Sequence, residues 1–178
     1  MGNVDPNHLR IRRIDGMTES EATQLAEVLI DCVDGGASVS FMHPLEPARA
    51  EAFWRRIGAD VARGARILLV AEDEAGIAGT VQVALDLPEN QPHRADIAKM
   101  LVHRRARRRG AGEGLLRAAE AAAQAAGRSL LVLDTATGSD AERLYRRLGW
   151  TLAGVIPDYA LFPRGGFCST SVFYRNFD

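Results

Sequence analysis

The stretch from Arg94 to Gly127, RADIAKMLVHRRARRRGAGEGLLRAAEAAAQAAG, constrains the fold of this chain more than any other. Its first half carries Ile97, Met100 and Val102 as a half-buried strand does, and its second half is an Ala/Leu-rich helical run closed by Gly127. Between them stands Arg107-Arg108-Arg109-Gly110-Ala111-Gly112, where two glycines let the backbone turn tightly and leave N–H groups open. Such groups at a helix N-terminus bind phosphate, helped by the helix dipole. Five arginines within six positions, Arg104, Arg105, Arg107, Arg108 and Arg109, add positive charge to the same loop. A phosphate-rich ligand is the natural guest. The dinucleotide fingerprint G-x-G-x-x-G and the P-loop G-x-x-x-x-G-K-[ST] are both missing from the chain.

The rest of the sequence supplies elements around this joint. LRIRRI, Leu9 to Ile14, alternates as a first strand, and Thr18-Glu19-Ser20-Glu21 reads as a capping box opening a helix with Leu25, Val28, Leu29 and Cys32 on its inner side. Gly35 to Pro47 is a loop, followed by a helix that carries Ala50, Phe53, Trp54, Ile57 and Val61 to Gly64. Ile67 to Ala71 and Ile77 to Leu85 form a hairpin, and Leu87 to His93 leads into the phosphate-loop strand. Leu130 to Asp134 is a buried strand. Gly138-Ser139 introduces a helix with Ala141, Leu144, Tyr145 and Leu148 inward, and Trp150 to Ile156 and Cys168 to Phe177 are the last strands, joined by a PDYALFPRGG loop. The element order is β-α-α-β-β-β-α-β-α-β-β, one domain over residues 1–178.

Composition bounds the functional classes. Hydrophobic residues at 47% and charged residues at 25% are ordinary globular usage, against disorder. The formal net charge of −1 means that the arginine cluster is a local anion site and not part of a basic nucleic-acid surface. No apolar run suits a membrane span, and the first residues, MGNVDPNHLRIRR, lack the apolar core of a signal peptide, so a cytoplasmic protein without a membrane or nucleic-acid partner is expected. Cys32 and Cys168 stand far apart in no metal-ligand spacing; they read as packed thiols, and no metal is expected.

Arg107-x-x-Gly110-x-Gly112 resembles the acetyl-CoA motif of the GCN5-related N-acetyltransferases, and Ala141-x-x-x-Tyr145-x-x-x-Gly149-Trp150 resembles the ending of the same family. The element order is similar over nearly the whole chain. GGASVSFM, ADIAKMLV and LDTATGSDAE resemble the branch of the family that inactivates a β-lactam toxin by acetylating its amine. The resemblance implies an α/β domain of mixed α+β type, with a mixed, largely antiparallel twisted sheet of about seven strands and four helices. It implies acetyl-CoA as cosubstrate, with the pantetheine arm pairing with Met100, Leu101 and Val102 and a backbone N–H near Leu101 or Val102 polarising the thioester. Arg107, Arg108, Arg109, Gly110, Ala111, Gly112 and Glu113 hold the phosphates on this reading, and Tyr145 gives a proton to the leaving thiolate.

The acceptor half is read from the residues. By alternation Asp96 points to the same face as Ala98 and Met100, and Asp134 ends the next strand, so with the two strands as neighbours both approach one cleft and either is a candidate base; the alternative is that Asp96 pairs with Arg94 or solvent and Asp134 caps a turn. Ser40, Phe41 and Tyr159 are the candidate walls of an acceptor pocket, and Asp34 and Asp158 are acids available to a cation. His8, His43, His93 and His103 are weaker candidates for the base than the aspartates, and neither cysteine has a basic neighbour in sequence to activate it. Direct transfer to a small-molecule amine in a ternary complex is the leading expectation. Acetylation of a protein or peptide, or a non-catalytic acyl-CoA sensor, stand as alternatives, with a homodimer as an open possibility.

Overall fold

The computed structural model describes residues 9–177; His8 and most of the stretch read against a signal peptide lie outside them. In chain order the elements are β1 (Arg10–Ile14), α1 (Glu19–Asp34), α2 (Pro47–Ala62), β2 (Arg66–Asp73), β3 (Gly76–Ala84), β4 (Arg94–Val102), a 3-10 turn (Arg104–Ala106), α3 (Ala111–Ala125), β5 (Leu130–Ala136), α4 (Asp140–Arg147), β6 (Thr151–Leu161) and β7 (Phe167–Asn176). The strands form a single sheet in the order β1-β2-β3-β4-β5-β7-β6, and all pairs are antiparallel except β4 with β5. This is the mixed, largely antiparallel seven-stranded sheet with four helices that the sequence leads one to expect.

Helices cover both faces. On one, α1 and α2 bury Leu25, Val28, Leu29, Trp54 and Ile57 against Leu68, Val70 and Leu101. On the other, α3 and α4 bury Leu115, Leu116, Ala119, Ala123 and Tyr145 against Leu69, Val81, Val83, Ile97, Leu131 and Phe173. Each fully buried leucine stabilises by about 2 kcal/mol. The capping box at Thr18 is formed: its hydroxyl accepts from the Glu21 N–H while the Glu21 carboxylate accepts from the Thr18 N–H. The glycines of α3 have a steric purpose, because a Cβ at Gly114 would stand 2.6 Å from Ile11 Cδ1 and one at Gly112 3.1 Å from Leu144 Cδ2. Small residues there let the helix lie close to the sheet and to α4.

The expected loop after Ile156 is corrected. β6 runs on to Leu161, and Ala160 and Leu161 pair with Cys168 and Phe167 across a register shift that follows Ile156. Asp158, at φ 52°, takes up the irregularity. The turn signals of Pro157 and Asp158 thus mark a bulge inside a long edge strand, with the hairpin turn displaced to Phe162–Gly166. Among the described residues no helix is long and apolar enough to cross a membrane.

A buried ionic contact ties the second half together. The Glu120 carboxylate on α3 accepts from Trp150 Nε1 at 2.8 Å and from Arg175 Nη1 at 3.1 Å, and Arg175 also donates to the Leu148 carbonyl at 2.7 Å. Removing one partner of such a contact strands the others in a region with little water. Glu120→Met is expected to lower the unfolding free energy by roughly 3 kcal/mol, measured by urea denaturation; a loss below about 1 kcal/mol would show the contact to be marginal.

Candidate active site

The opening between β4 and β5 is the feature around which the candidate residues gather. The two strands pair only through Arg94↔Leu130, Ala95↔Leu131 and Asp96↔Val132. Beyond these, β4 stays on β3 and β5 stays on β7, so the pair parts like a V. His103 N–H donates to the Ala78 carbonyl at 2.8 Å, on the β3 side. Backbone directions alternate along a strand, so the N–H of Leu101 also faces β3 and those of Met100 and Val102 face the gap. Of the two amides expected to meet an acyl carbonyl, Val102 is thus the one turned the right way.

A bulge sets which side chains flank this gap. Thr80 pairs with Leu101 and Gln82 with Ala98, leaving Lys99 and Met100 opposite Val81, with Lys99 at φ 50°. The extra residue reverses the side-chain parity. Ile97, Met100 and Val102 therefore share the α3 face, as their joint reading as one buried stripe requires, while Leu101 packs under α1 and α2. The expectation that Asp96 shares a face with Met100 is overturned: Asp96 and Ala98 lie on the opposite side, together with Lys99.

At the open end of the gap, Gly110 caps α3 in the left-handed conformation, φ 81°, and offers no side chain to the first-turn N–H groups. From Gly110 to Glu113 the helix start is thus left without a side-chain cap. The arginines are placed otherwise. Arg104 is bonded through its backbone and side chain to the buried Asp31 on α1, and Arg105 and Arg109 both reach Asp73, at 3.4 and 3.3 Å. Burial opposes ionisation of Asp73, but Arg105, the Ala75 N–H and Arg109 outweigh it and hold the carboxyl below its ordinary range. Arg107 donates to the Val102 carbonyl at 3.2 Å, closing the loop over the end of β4. Arg108 is exposed at φ 60° and, among the described residues, makes no ion pair. Glu113 pairs with Arg117 and Arg147, bridging α3 and α4. Four of the five arginines therefore build and brace the loop, and Arg108 is the one whose charge is turned outward. Asp31 and Asp73, the acidic posts for this bracing, have no sequence motif and were not singled out.

Tyr145 is buried on α4, its ring 6.0 Å from that of Trp150 and 6.1 Å from that of Phe173. Burial and then the nearby charge of Asp134 push its hydroxyl well above the ordinary phenol range, so it is protonated at neutral pH. Asp96 lies beside Arg94, at 3.1 Å, and its carboxyl is raised, first by burial; the charge of Asp134 also raises it, while Arg94 and Arg66 pull it down. The two aspartates thus feel one another across the parted strands.

Asp134 accepts from Thr170 Oγ1 at 3.3 Å and lines a cavity of about 120 Å³ with Ser38, Ser40, Thr135, Tyr159 and Thr170. Ser40 and Tyr159 are both among the residues that line it. Phe41 does not; its ring meets Phe53 edge-on at 5.3 Å and lies under Arg49, closing the core edge. Asp34 is engaged by His43 Nδ1 at 3.1 Å, and His103 Nδ1 accepts from the Arg105 N–H. Cys32 is buried with a raised thiol pKa despite the charge of Arg107, which makes it a poor nucleophile. Among the described residues no cluster suits a metal ion.

Lys99 is the side chain at this site that sequence reasoning passed over. Its ammonium donates to Ser40 Oγ at 3.0 Å and lies 5.9 Å from the Phe53 ring centroid. The signal was present as one lysine inside the otherwise apolar run IAKMLV.

Comparison with known proteins agrees with this geometry. A family model described as an acetyltransferase (GNAT) domain matches residues 64–152, half of the chain. Among solved structures, the fold is similar to yncA of Salmonella typhimurium, determined with its cofactor acetyl-CoA, at TM-score 0.77 and 17% identity over 96% of this chain and 94% of that one. It is also similar to a ribosomal-protein-alanine N-acetyltransferase of Brucella melitensis, with TM-score 0.77 and 20% identity over 94% and 99% of the two chains. A GCN5-related N-acetyltransferase of Kribbella flavida gives TM-score 0.75 and 20% identity over 97% and 100%. At these identities each likeness speaks for the fold.

Proposed function

Since the chain belongs to the GNAT acetyltransferase family, we propose that it moves an acetyl group from acetyl-CoA directly to a primary amine of a small molecule. The observation that carries this reading is the parting of β4 from β5 after Asp96 and Val132, with a glycine-capped helix start at its mouth. Acetyl-CoA suits that shape: its pyrophosphate meets the N–H groups of Gly110 to Glu113 and its pantetheine arm lies along Met100 to Val102. Arg108 supplies an outward charge for the phosphates, while Arg107 and Arg109 hold the loop in place. The Val102 N–H donates to the thioester oxygen as negative charge develops there.

The amine attacks the thioester carbon, the carbon–sulfur bond breaks, and the coenzyme leaves as a thiolate. Tyr145 serves that thiolate. With its phenol pushed above the ordinary value near 10, while a free thiol lies near 8.5, complete proton transfer to sulfur runs uphill. Tyr145 therefore acts first as a hydrogen-bond donor to the developing charge, and the sulfur's net proton is balanced by the one the amine gives up. Asp96 or Asp134 accepts the amine's proton directly or through water.

The cavity of about 120 Å³ beside Asp134 has room for a group of amino-acid size around the acceptor's amine. A β-lactam toxin amine is the named candidate from the sequence resemblance. A thiol-release assay with acetyl-CoA and a panel of amines, amino acids, β-lactam toxin analogues, polyamines and peptides tests the reading; tight coenzyme binding with no release from any acceptor would leave a sensor in its place.

Tyr145→Phe is expected to lower kcat more than tenfold with little change in acetyl-CoA affinity, and wild-type turnover would remove Tyr145 from the mechanism. A base must be ionised, so activity should rise with pH through a carboxyl pKa that, for Asp96, lies above the ordinary value. The pH-rate profiles of Asp96→Asn and Asp134→Asn identify the base by which variant loses that rising limb. If both retain it, neither carboxylate is the base.

A further inference from the structure

The sheet face under α1 and α2 carries an imbalance that amine binding alone leaves unexplained. Asp96, Lys99 and Asp134 gather there, near enough to Arg66 for its charge to act on both Asp96 and Lys99. Arg66 donates to Gln82 Oε1 at 2.8 Å and lies 3.6 Å from Asp60, and Arg94 pairs with Asp96. Lys99 is different. It is half-buried, and among the described residues no carboxylate stands within ion-pair distance of its ammonium; its hydrogen bond is to the neutral hydroxyl of Ser40. Burial accordingly lowers its pKa, against the distant charge of Asp134.

A cation taken from water without an adjacent anion is costly. The backbone holding it is costly as well, because Lys99 sits at φ 50° and Ser40 at φ 75°, in the left-handed region that side chains other than glycine disfavour. Two strained residues from separate segments thus meet in one hydrogen bond. The buried Gln82, at 1% exposure, adds an amide nitrogen without a partner on this face, opposite Ala98 in the strand register. The Lys99 ammonium and the Gln82 amide nitrogen are donors with no carboxylate beside them, and an acceptor of negative charge would complete them. Ser40 also lines the cavity that holds Asp134, so an anion seated at the Lys99–Ser40 pair would lie in the same small space as the acceptor's amine.

We propose that Lys99 and Ser40 form an anion subsite that selects acceptors carrying a carboxylate close to the amine, the pattern of an α-amino acid. The subsite rests on the acetyl-transfer reading for its amine half, with Asp96 and Asp134 facing the nitrogen and Lys99 facing the carboxylate. It adds no step to the chemistry. It fixes the acceptor's orientation, so that the amine and not another group points toward the thioester.

The test compares the common L-α-amino acids with their carboxamides, which keep the amine and lose the negative charge. With acetyl-CoA and thiol release as the readout, the wild-type protein should prefer the best acid over its amide at least tenfold in kcat/KM. Lys99→Met should bring that ratio close to one. Ser40→Asp should do the same by giving Lys99 a carboxylate of its own, and an exposed aspartate tolerates the left-handed conformation. Calorimetric binding of acetyl-CoA reports whether each variant is folded. No acid preference in the wild type, or a preference kept by a folded variant of either kind, overturns the subsite. If no acceptor releases thiol, acetyl transfer fails separately, and calorimetric binding of acids and amides in the presence of coenzyme A decides the subsite: a preference for acids lost in the variants sustains it, and equal binding overturns it.

Discussion

A strand that leaves its neighbour exposes backbone amides that must find other partners, and the organisation of this protein follows from that requirement. β4 is held on one side by β3 along its length and on the other by β5 for only three residue pairs. From there the N–H groups of Met100 and Val102 face a gap. A gap in the middle of a sheet would be filled by slippage unless both sides were fixed. Here β5 is locked by seven pairs to β7, and the end of β4 is tied by Arg107 to its own loop and by Arg104, through Asp31, to α1. The unpaired backbone is maintained by packing and charge placed around it.

The same logic accounts for the strained backbone. All four described residues other than glycine with positive φ are Ser40, Lys99, Arg108 and Asp158. Ser40 lines the cavity that holds Asp134, Lys99 bonds to it, Asp158 adjoins the lining residue Tyr159, and Arg108 stands in the loop before α3. Each costs of the order of 1 kcal/mol, and together they cluster where a ligand would be met. The bulge at Lys99 has a further effect, since it turns Met100 and Val102 toward α3 while leaving Asp96 and Lys99 on the face under α1 and α2. One inserted residue divides these side chains between the two faces of the sheet.

Much of this was legible in the sequence, and the exceptions share a cause. The glycine-rich joint, the capping box at Thr18, the inner face of α1 and the burial of Tyr145 follow from local patterns, and all are present. The resemblance to the acetyltransferase family rests on two short motifs and an element order, and the family match covers both. What could not be read depends on contacts between distant segments. The pairing of Arg105 and Arg109 with Asp73 spans more than thirty residues, and that of Lys99 with Ser40 nearly sixty. Strict alternation placed Asp96 beside Met100 because a bulge leaves no mark in a run such as DIAKMLV. Pro157 and Asp158 looked like the end of β6 for the converse reason, since the residues that signal a turn also signal an irregularity within a strand.

The gap between β4 and β5 is proposed to receive the coenzyme's acyl arm. Amide hydrogen exchange, resolved by residue with and without saturating acetyl-CoA, addresses it directly. Slower exchange is predicted at Met100 and Val102 and across Ala111 to Glu113, with the Leu101 amide, already turned to β3, little changed. Tight binding of acetyl-CoA with no protection at Met100 or Val102 would contradict it.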